Sequence, residues 1–209
     1  MKIVVFGATG GTGKNIVERA LAAGHEVVAV ARKPEAVAPK ERLTVHKGDV
    51  LDGASLAAAV AGCDAAISAI GPTDNGKPGT LLSEGTKNMV AACTAAGVKR
   101  FVFESGMICS DGRELSFFGS LAVRAFRGIY PKLYADKLLA EGSVQASALD
   151  WVIVRPPALK HAAARGKYTA APGARIFPGS ALTHADCAHC LVRAATEPDW
   201  VKQIVNVGT

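Results

Sequence analysis

The strongest constraint on the fold lies in the first two dozen residues. An apolar run, Lys2-Ile-Val-Val-Phe6, feeds directly into Gly7-Ala-Thr-Gly10-Gly11-Thr-Gly13-Lys14, and an amphipathic stretch follows from Asn15 to Ala23. A strand, a glycine turn and a helix in that order present bare backbone N–H groups and a helix N-terminus to a pyrophosphate. Glycine allows the tight turn, the approach of phosphate to backbone, and the close packing of helix on strand. The spacing is not that of a nucleoside triphosphatase loop, which needs G-x-x-x-x-G-K-[ST]; Ala8 and Asn15 occupy its two ends. The segment predicts a dinucleotide site.

The second strand predicts which dinucleotide. Residues 25–31 read as a buried parallel strand, with Gly24 closing the preceding helix. An NAD site places a carboxylate near the tip of this strand for the ribose 2′-hydroxyl. Here the tip is Ala31-Arg32-Lys33-Pro34, without an acid. Two cations suit the 2′-phosphate of NADP(H), and the guanidinium of Arg32 can grip it with a planar fork.

Further on, strands and helices alternate as in a doubly wound parallel sheet of Rossmann-like α/β class. Strands are expected at 3–6, 27–31, 43–47, 65–69, 100–104, 151–154 and 204–207. Helices are expected near 11–23, 53–60, 80–96, 134–147 and 185–195. No repeat or linker interrupts the pattern, so residues 1–209 are read as one dinucleotide-binding domain. Two stretches break it, 106–130 and 156–181. Both follow late strands at their C-terminal ends, where an open α/β sheet places its crevice, and they are expected to build the substrate site as loops.

Composition narrows the partners. The net charge of +6 is spread over Lys2, Lys14, Arg32, Lys47, Lys99, Arg124 and Lys160 without interleaved aromatics, so an anionic cofactor explains it and nucleic acid is not expected. No apolar run is long enough to span a bilayer, and the chain enters a strand at once, so no membrane partner and a cytoplasmic location are expected. The five cysteines, 63, 93, 109, 187 and 190, fit reduced thiols. His184-Ala-Asp-Cys187-Ala-His189-Cys190 looks like a ligand cluster, but its helical period puts Cys187, Leu191 and Ala194 on one apolar face; no metal is expected. No apolar helix stripe stands out as surplus to the core, which favours a monomer over a homodimer.

Together these segments resemble an atypical short-chain dehydrogenase/reductase, of the NAD(P)H-binding group that includes biliverdin-IXβ/flavin reductase. The resemblance spans nearly the whole chain. It rests on Gly7-x-x-Gly10-x-x-Gly13, Val30-Ala31-Arg32, Gly48-Asp49-Val50, Ile70-Gly71 and the helix from Ser83 to Ala92. It continues through 149–157, which ends in Arg155-Pro156-Pro157, then the Gly166-Lys167-Tyr168 turn and His184-Ala-Asp186.

By that resemblance Gly7, Thr9, Gly10, Gly11, Thr12 and Gly13 belong to the pyrophosphate loop. Arg32 holds the 2′-phosphate, and Asp49 and Val50 flank the adenine. Ala69, Ile70 and Gly71 pass along the nicotinamide ribose, Ser105 lies by the nicotinamide, Lys137 faces the ribose hydroxyls, and Pro156 walls the ring. Asp49 also reads as a turn-former, and Lys137 as a partner for Glu141 one helical turn on.

The chemical end is less typical. The main dehydrogenases of this superfamily use Tyr-x-x-x-Lys, the lysine lowering the phenol pKa so that it can donate a proton. Here Tyr134-Ala-Asp-Lys137 is one residue short, leaving a relaxed Ser105–Tyr134–Lys137 catalytic set. The resembled flavin reductases carry a pocket histidine where this chain has Ala158, and a serine where it has Gly106. Hydride transfer is the cofactor's own chemistry, and a delocalised acceptor tolerates a weak proton donor better than an isolated ketone does. The expected activity is therefore NADPH-dependent reduction of a planar, conjugated small molecule: a flavin, quinone or linear tetrapyrrole. Phe117, Phe118 and Phe126 are candidates for its stacking surface, and Lys160 and His161 for an assisting donor or anion clamp. The alternatives are a non-catalytic, redox-sensing binder of the NmrA-like kind, a carbonyl-reducing dehydrogenase using Ser105, Tyr134 and Lys137, and a sugar-nucleotide epimerase.

Overall fold

Side-chain alternation along the first strand decides the layering. In β1 (Lys2–Phe6), Ile3 and Val5 enter one core, and Val4 and Phe6 enter another on the opposite face. A strand buried on both faces is the signature of a sheet covered by helices on each side. The computed structural model describes residues 1–72, 79–177 and 181–209. Residues 178–180, within the second stretch assigned to the substrate site, lie outside the described residues.

The other strands are β2 (Glu26–Ala31), β3 (Leu43–Lys47), β4 (Ala65–Ser68), β5 (Arg100–Glu104), β6 (Asp150–Arg155), β7 (Leu159–Lys160), β8 (Thr169–Pro172), β9 (Leu182–Thr183) and β10 (Gln203–Gly208). Among the described residues, β1 and seven of these form one sheet in the order β3-β2-β1-β4-β5-β6-β10-β8, while β7 and β9 pair separately. All pairs in the large sheet are parallel except β10 with β8. The sheet is thus Rossmann-like and mostly parallel, with one antiparallel edge strand drawn from a stretch expected to be loop.

The helices are α1 (Gly11–Ala22), α2 (Ala57–Val60), α3 (Leu81–Ala95), α4 (Phe117–Ile129), α5 (Pro131–Gln145) and α6 (His184–Thr196). Helices α1 and α6 pack together on one face, and α3 and α5 on the other. The expected helix at 53–60 is instead a 3-10 turn, Gly53–Leu56, followed by the single turn of α2. Chain order leaves β1 toward β2 and β3, then returns to β4 on its other side. That reversal opens a crevice outside the C-terminal ends of β1 and β4.

Two side chains tie α5 into this frame. Asp136 accepts from the N–H groups of Leu82 and Ser83 at 3.0 and 2.9 Å, so a carboxylate from one helix caps another. Glu141 forms a two-pronged buried pair with Arg155 of β6, at 2.9 and 2.6 Å. Glu141 is therefore not the partner of Lys137 that the one-turn spacing allowed.

The stretch 106–130 is not a loop. Ser116 caps α4, its Oγ accepting from the Gly119 N–H at 3.1 Å. This helix turns Gly119 and Val123 inward and leaves Phe117, Phe118 and Ile129 79, 76 and 68% exposed. Among the described residues nothing covers this apolar face, so the expectation that no helix carries an apolar stripe surplus to the core does not hold.

Candidate active site

A cavity of about 710 Å³ follows the crevice from the tip of β2 to the start of α5. Its first wall is the glycine turn. Gly7, Thr9, Gly10, Gly11 and Thr12 line it. Gly7 has φ +78°, and a Cβ there would lie 2.7 Å from the Ala69 carbonyl oxygen. Gly13 is not on the cavity; it faces Gly7, where a Cβ would come within 2.0 Å of the Gly7 oxygen. Among the described residues, no side chain caps the N-terminus of α1, and its first turn carries no acid. Uncapped N–H groups at a glycine-lined crevice are a cradle for an anion, so the site fits a pyrophosphate.

Arg32 lines one end of the cavity, beside Gly48, Asp49 and Val50. Asp49 also closes its own turn, with Oδ1 accepting from the Leu51 N–H at 3.0 Å. Asn88 of α3 steadies that turn by donating to the Val50 carbonyl at 2.8 Å. Ala69, Ile70 and Gly71 form the middle of the cavity.

At the far end lie Ser105, Lys137 and Pro156, with an apolar wall that includes Met107, Ile108, Phe126 and Leu133. Lys137 Nζ donates to the Ser105 carbonyl at 2.9 Å. The buried Ser105 hydroxyl has no hydrogen-bond partner among the described residues.

Tyr134 does not line the cavity; the Arg127 guanidinium lies over its ring at 4.5 Å. At 3.6 residues per turn, a residue three before Lys137 points about 100° away from the direction of one four before it. The missing residue in the spacing thus carries the phenol off the site. Of the three phenylalanines, only Phe126 lines the cavity. Phe117 and Phe118 meet edge to face, 5.6 Å apart, on the exposed side of α4.

Glu104, which the sequence reading passed over, closes the floor of the cavity. Thr12 Oγ1 donates to its Oε1 at 3.1 Å, and the same hydroxyl meets His184 Nδ1 at 2.9 Å. Burial raises the Glu104 pKa to about 7, outweighing the charge of Lys137 and the bonds from Thr12 and Cys187. His184 is lowered by burial and by the charge of His161. Those two imidazoles lie against each other, tilted by 39° with centroids 4.5 Å apart, over Gly11, where a Cβ would come within 2.9 Å of the His161 ring. A signal for Glu104 existed: a lone carboxylate ending an apolar strand, at the sheet edge where such folds bind ligands.

Asp186 ties down the segment before α6. Its burial disfavours the charge, but bonds from the Arg165 N–H, the Thr183 hydroxyl and the Gly166 N–H prevail and lower its pKa. All five cysteines are free and buried, and the core face of α6 includes Cys187, Leu191 and Ala194. Among the described residues, no helix is long and apolar enough to cross a membrane.

Over 188 residues the chain is 31% identical to an uncharacterized chloroplastic protein of Arabidopsis thaliana, covering 86% of this chain and 66% of that one. It spans between a third and two thirds of the length of the first curated relatives it matches. Among solved structures it is similar to ChuY, an anaerobilin reductase from Escherichia coli, with TM-score 0.80 and 27% identity, covering 100% of this chain and 97% of that one. It shares its fold with a short-chain dehydrogenase/reductase of Veillonella parvula crystallised with NADP, at TM-score 0.81 and 17% identity, covering 100 and 94% of the two chains. A family model described as NAD(P)H-binding matches residues 7–198, and the chain belongs to that NAD(P)H-binding family.

Proposed function

We propose that the protein is an NADPH-dependent reductase of a planar, conjugated small molecule of the flavin, quinone or tetrapyrrole class. The observation that carries this reading is the division of the cavity: a glycine cradle and a cation at one end, and an apolar wall of Met107, Ile108, Phe126 and Leu133 at the other. An apolar wall suits a conjugated ring system, whose delocalisation spreads the charge that arrives with hydride. The similarity to an anaerobilin reductase supports the same class of acceptor. A dehydrogenase using Tyr134 is disfavoured because that phenol stands off the cavity.

In this reading the turn from Gly7 to Thr12 holds the pyrophosphate and Arg32 the 2′-phosphate. Asp49 and Val50 flank the adenine, Ala69 to Gly71 border the ribose, and Lys137 and Ser105 face the nicotinamide end with Pro156 behind it. The bound dinucleotide supplies hydride; the protein aligns the two rings and excludes water. Arg32→Ala then removes a charge-assisted contact that only NADPH makes. NADPH affinity is expected to fall about 10- to 100-fold, with NADH affinity nearly unchanged, by fluorescence titration. Equal weakening of both would remove Arg32 from the role.

The activity itself is tested by NADPH oxidation with FMN, menadione and biliverdin in parallel, with NADH as control. Turnover of any of these, faster with NADPH, supports the reductase. Tight NADPH binding with no oxidation across the panel would favour a redox-sensing binder instead.

A further inference from the structure

We propose that Glu104 is the acid that completes the reduction and that Thr12 and His184 form the path that reloads it from solvent, an inference that rests on the reductase reading above. Three elements bring these residues together: β5 supplies Glu104, the first turn of α1 supplies Thr12, and the start of α6 supplies His184. Thr12 Oγ1 stands between the other two, 3.1 Å from Glu104 Oε1 and 2.9 Å from His184 Nδ1.

A hydroxyl has one proton and two lone pairs, so it can relay. With Glu104 ionised and His184 charged, Nδ1–H donates to Thr12 and Thr12 donates to Oε1. With Glu104 protonated, the carboxyl donates to Thr12 and Thr12 to a bare Nδ1. The two patterns differ by one proton passed along the chain, with no heavy atom displaced.

The ends of the chain suit this traffic. At the inner end Glu104 lines the cavity. Its Oε1 takes the Thr12 bond and a weak one from Cys187 Sγ at 3.8 Å, while Oε2 has no hydrogen-bond partner among the described residues. At the outer end half-buried His184 lies against exposed His161. The groups facing Glu104 are Thr12 from α1, Lys137 from α5, Cys187 from α6 and, through Thr12, His184. Burial lifts Glu104 to about 7 and holds His184 below its ordinary value, so the carboxyl outcompetes the imidazole for the proton and passage from His184 to Glu104 runs downhill.

The chemistry balances. Hydride from NADPH brings an electron pair and one hydrogen to an acceptor carbon. The O–H bond of Glu104 breaks, and its proton goes to the acceptor heteroatom that gains charge. Glu104 recovers a proton through Thr12 from His184, and His184 recovers one from water. Overall, NADPH, one proton and the acceptor give NADP⁺ and an acceptor carrying two more hydrogens.

The test is Glu104→Gln, which keeps the shape and the bond from Thr12. With NADPH and whichever of FMN, menadione or biliverdin the wild type reduces fastest, kcat is expected to fall about 100-fold with KM for NADPH little changed. A donor works when protonated, so wild-type kcat should decline above about pH 7, and the variant should lose that dependence. His184→Ala should slow turnover and recover on addition of imidazole. A cluster that only ties α1, β5 and α6 together would give neither the altered pH profile nor the imidazole rescue, and an unchanged kcat and profile in Glu104→Gln overturns the inference.

A second readout needs neither cofactor nor turnover. By NMR titration of the cofactor-free protein, the His184 ring signals should shift through an added inflection near pH 7, where ionisation of Glu104 reverses the Thr12 hydrogen bond, and Glu104→Gln should remove that inflection. An identical His184 titration in wild type and Glu104→Gln overturns the proton path. Absence of turnover in the wild type, with the titration shifted, overturns the reductase reading alone.

Discussion

Replacing Glu141 with alanine is expected to destabilise the protein by about 3–5 kcal/mol, because it strands a buried guanidinium. Glu141 and Arg155 are 3 and 7% exposed and meet through two guanidinium nitrogens, Nε and Nη2, and both carboxylate oxygens. Burial alone would lower the arginine pKa, but the bond and charge of Glu141 outweigh it and hold the group charged. The variant therefore keeps a cation in the core with nothing to answer it. The double variant Glu141→Leu with Arg155→Met removes both charges and is expected to recover most of the loss. Urea unfolding measures both, with a lowered midpoint at unchanged slope. A cost under about 1 kcal/mol for Glu141→Ala would be that of an exposed pair and would contradict the buried anchor. The pair also positions the site, since the helix it fastens to β6 carries Lys137 onto the cavity and Asp136 onto the end of α3.

Gly13→Ala should weaken NADPH binding about 10- to 100-fold while changing NADH binding equally. The added Cβ would stand 2.0 Å from the Gly7 oxygen and 2.7 Å from the Gly7 carbon. Both are backbone atoms of the turn itself, so relief requires α1 to move away from β1. Overpacking of this kind costs about 1–3 kcal/mol, and 1.4 kcal/mol corresponds to a factor of ten in affinity. Gly142→Ala is the contrast. Gly142 sits exposed inside α5 with open space where its Cβ would go, and alanine there is expected to stabilise the helix by about 0.5–1 kcal/mol. Isothermal titration with both dinucleotides, together with unfolding curves, separates the two. Unaltered binding by Gly13→Ala would mean that the turn absorbs a methyl group without moving the helix.

The alternation of apolar strands with helices, the glycine turn and the cation tip after β2 could be read from the chain because each is written in adjacent residues. A strand buried on both faces needs a continuous apolar run. A turn with a positive φ needs glycine, and a helix N-terminus left open for an anion lacks a cap and an early acid. Those are local steric and hydrogen-bonding demands, and they carried the α/β class and the likeness to NAD(P)H-binding proteins. Helix α4 escaped the same reading. The local pattern of an amphipathic helix says only that one side is apolar; which side faces inward is set by the packing, and here Gly119 and Val123 are inside while Phe117, Phe118 and Ile129 are out.

The convergence at the floor of the cavity belongs wholly to the tertiary structure. Thr12 meets Glu104 across 92 residues of chain and His184 across 172. Glu141 is held by Arg155 of another element rather than by Lys137 of its own. Tyr134 and Lys137 share a helix, yet only the lysine reaches the cavity. The sequence by itself determined that a parallel sheet would open a glycine-lined crevice beside Arg32. Only the folded chain decided which acid, hydroxyl and imidazole share that crevice, because strand order and helix rotation about the sheet are settled by burying two cores at once and leave no mark in neighbouring residues.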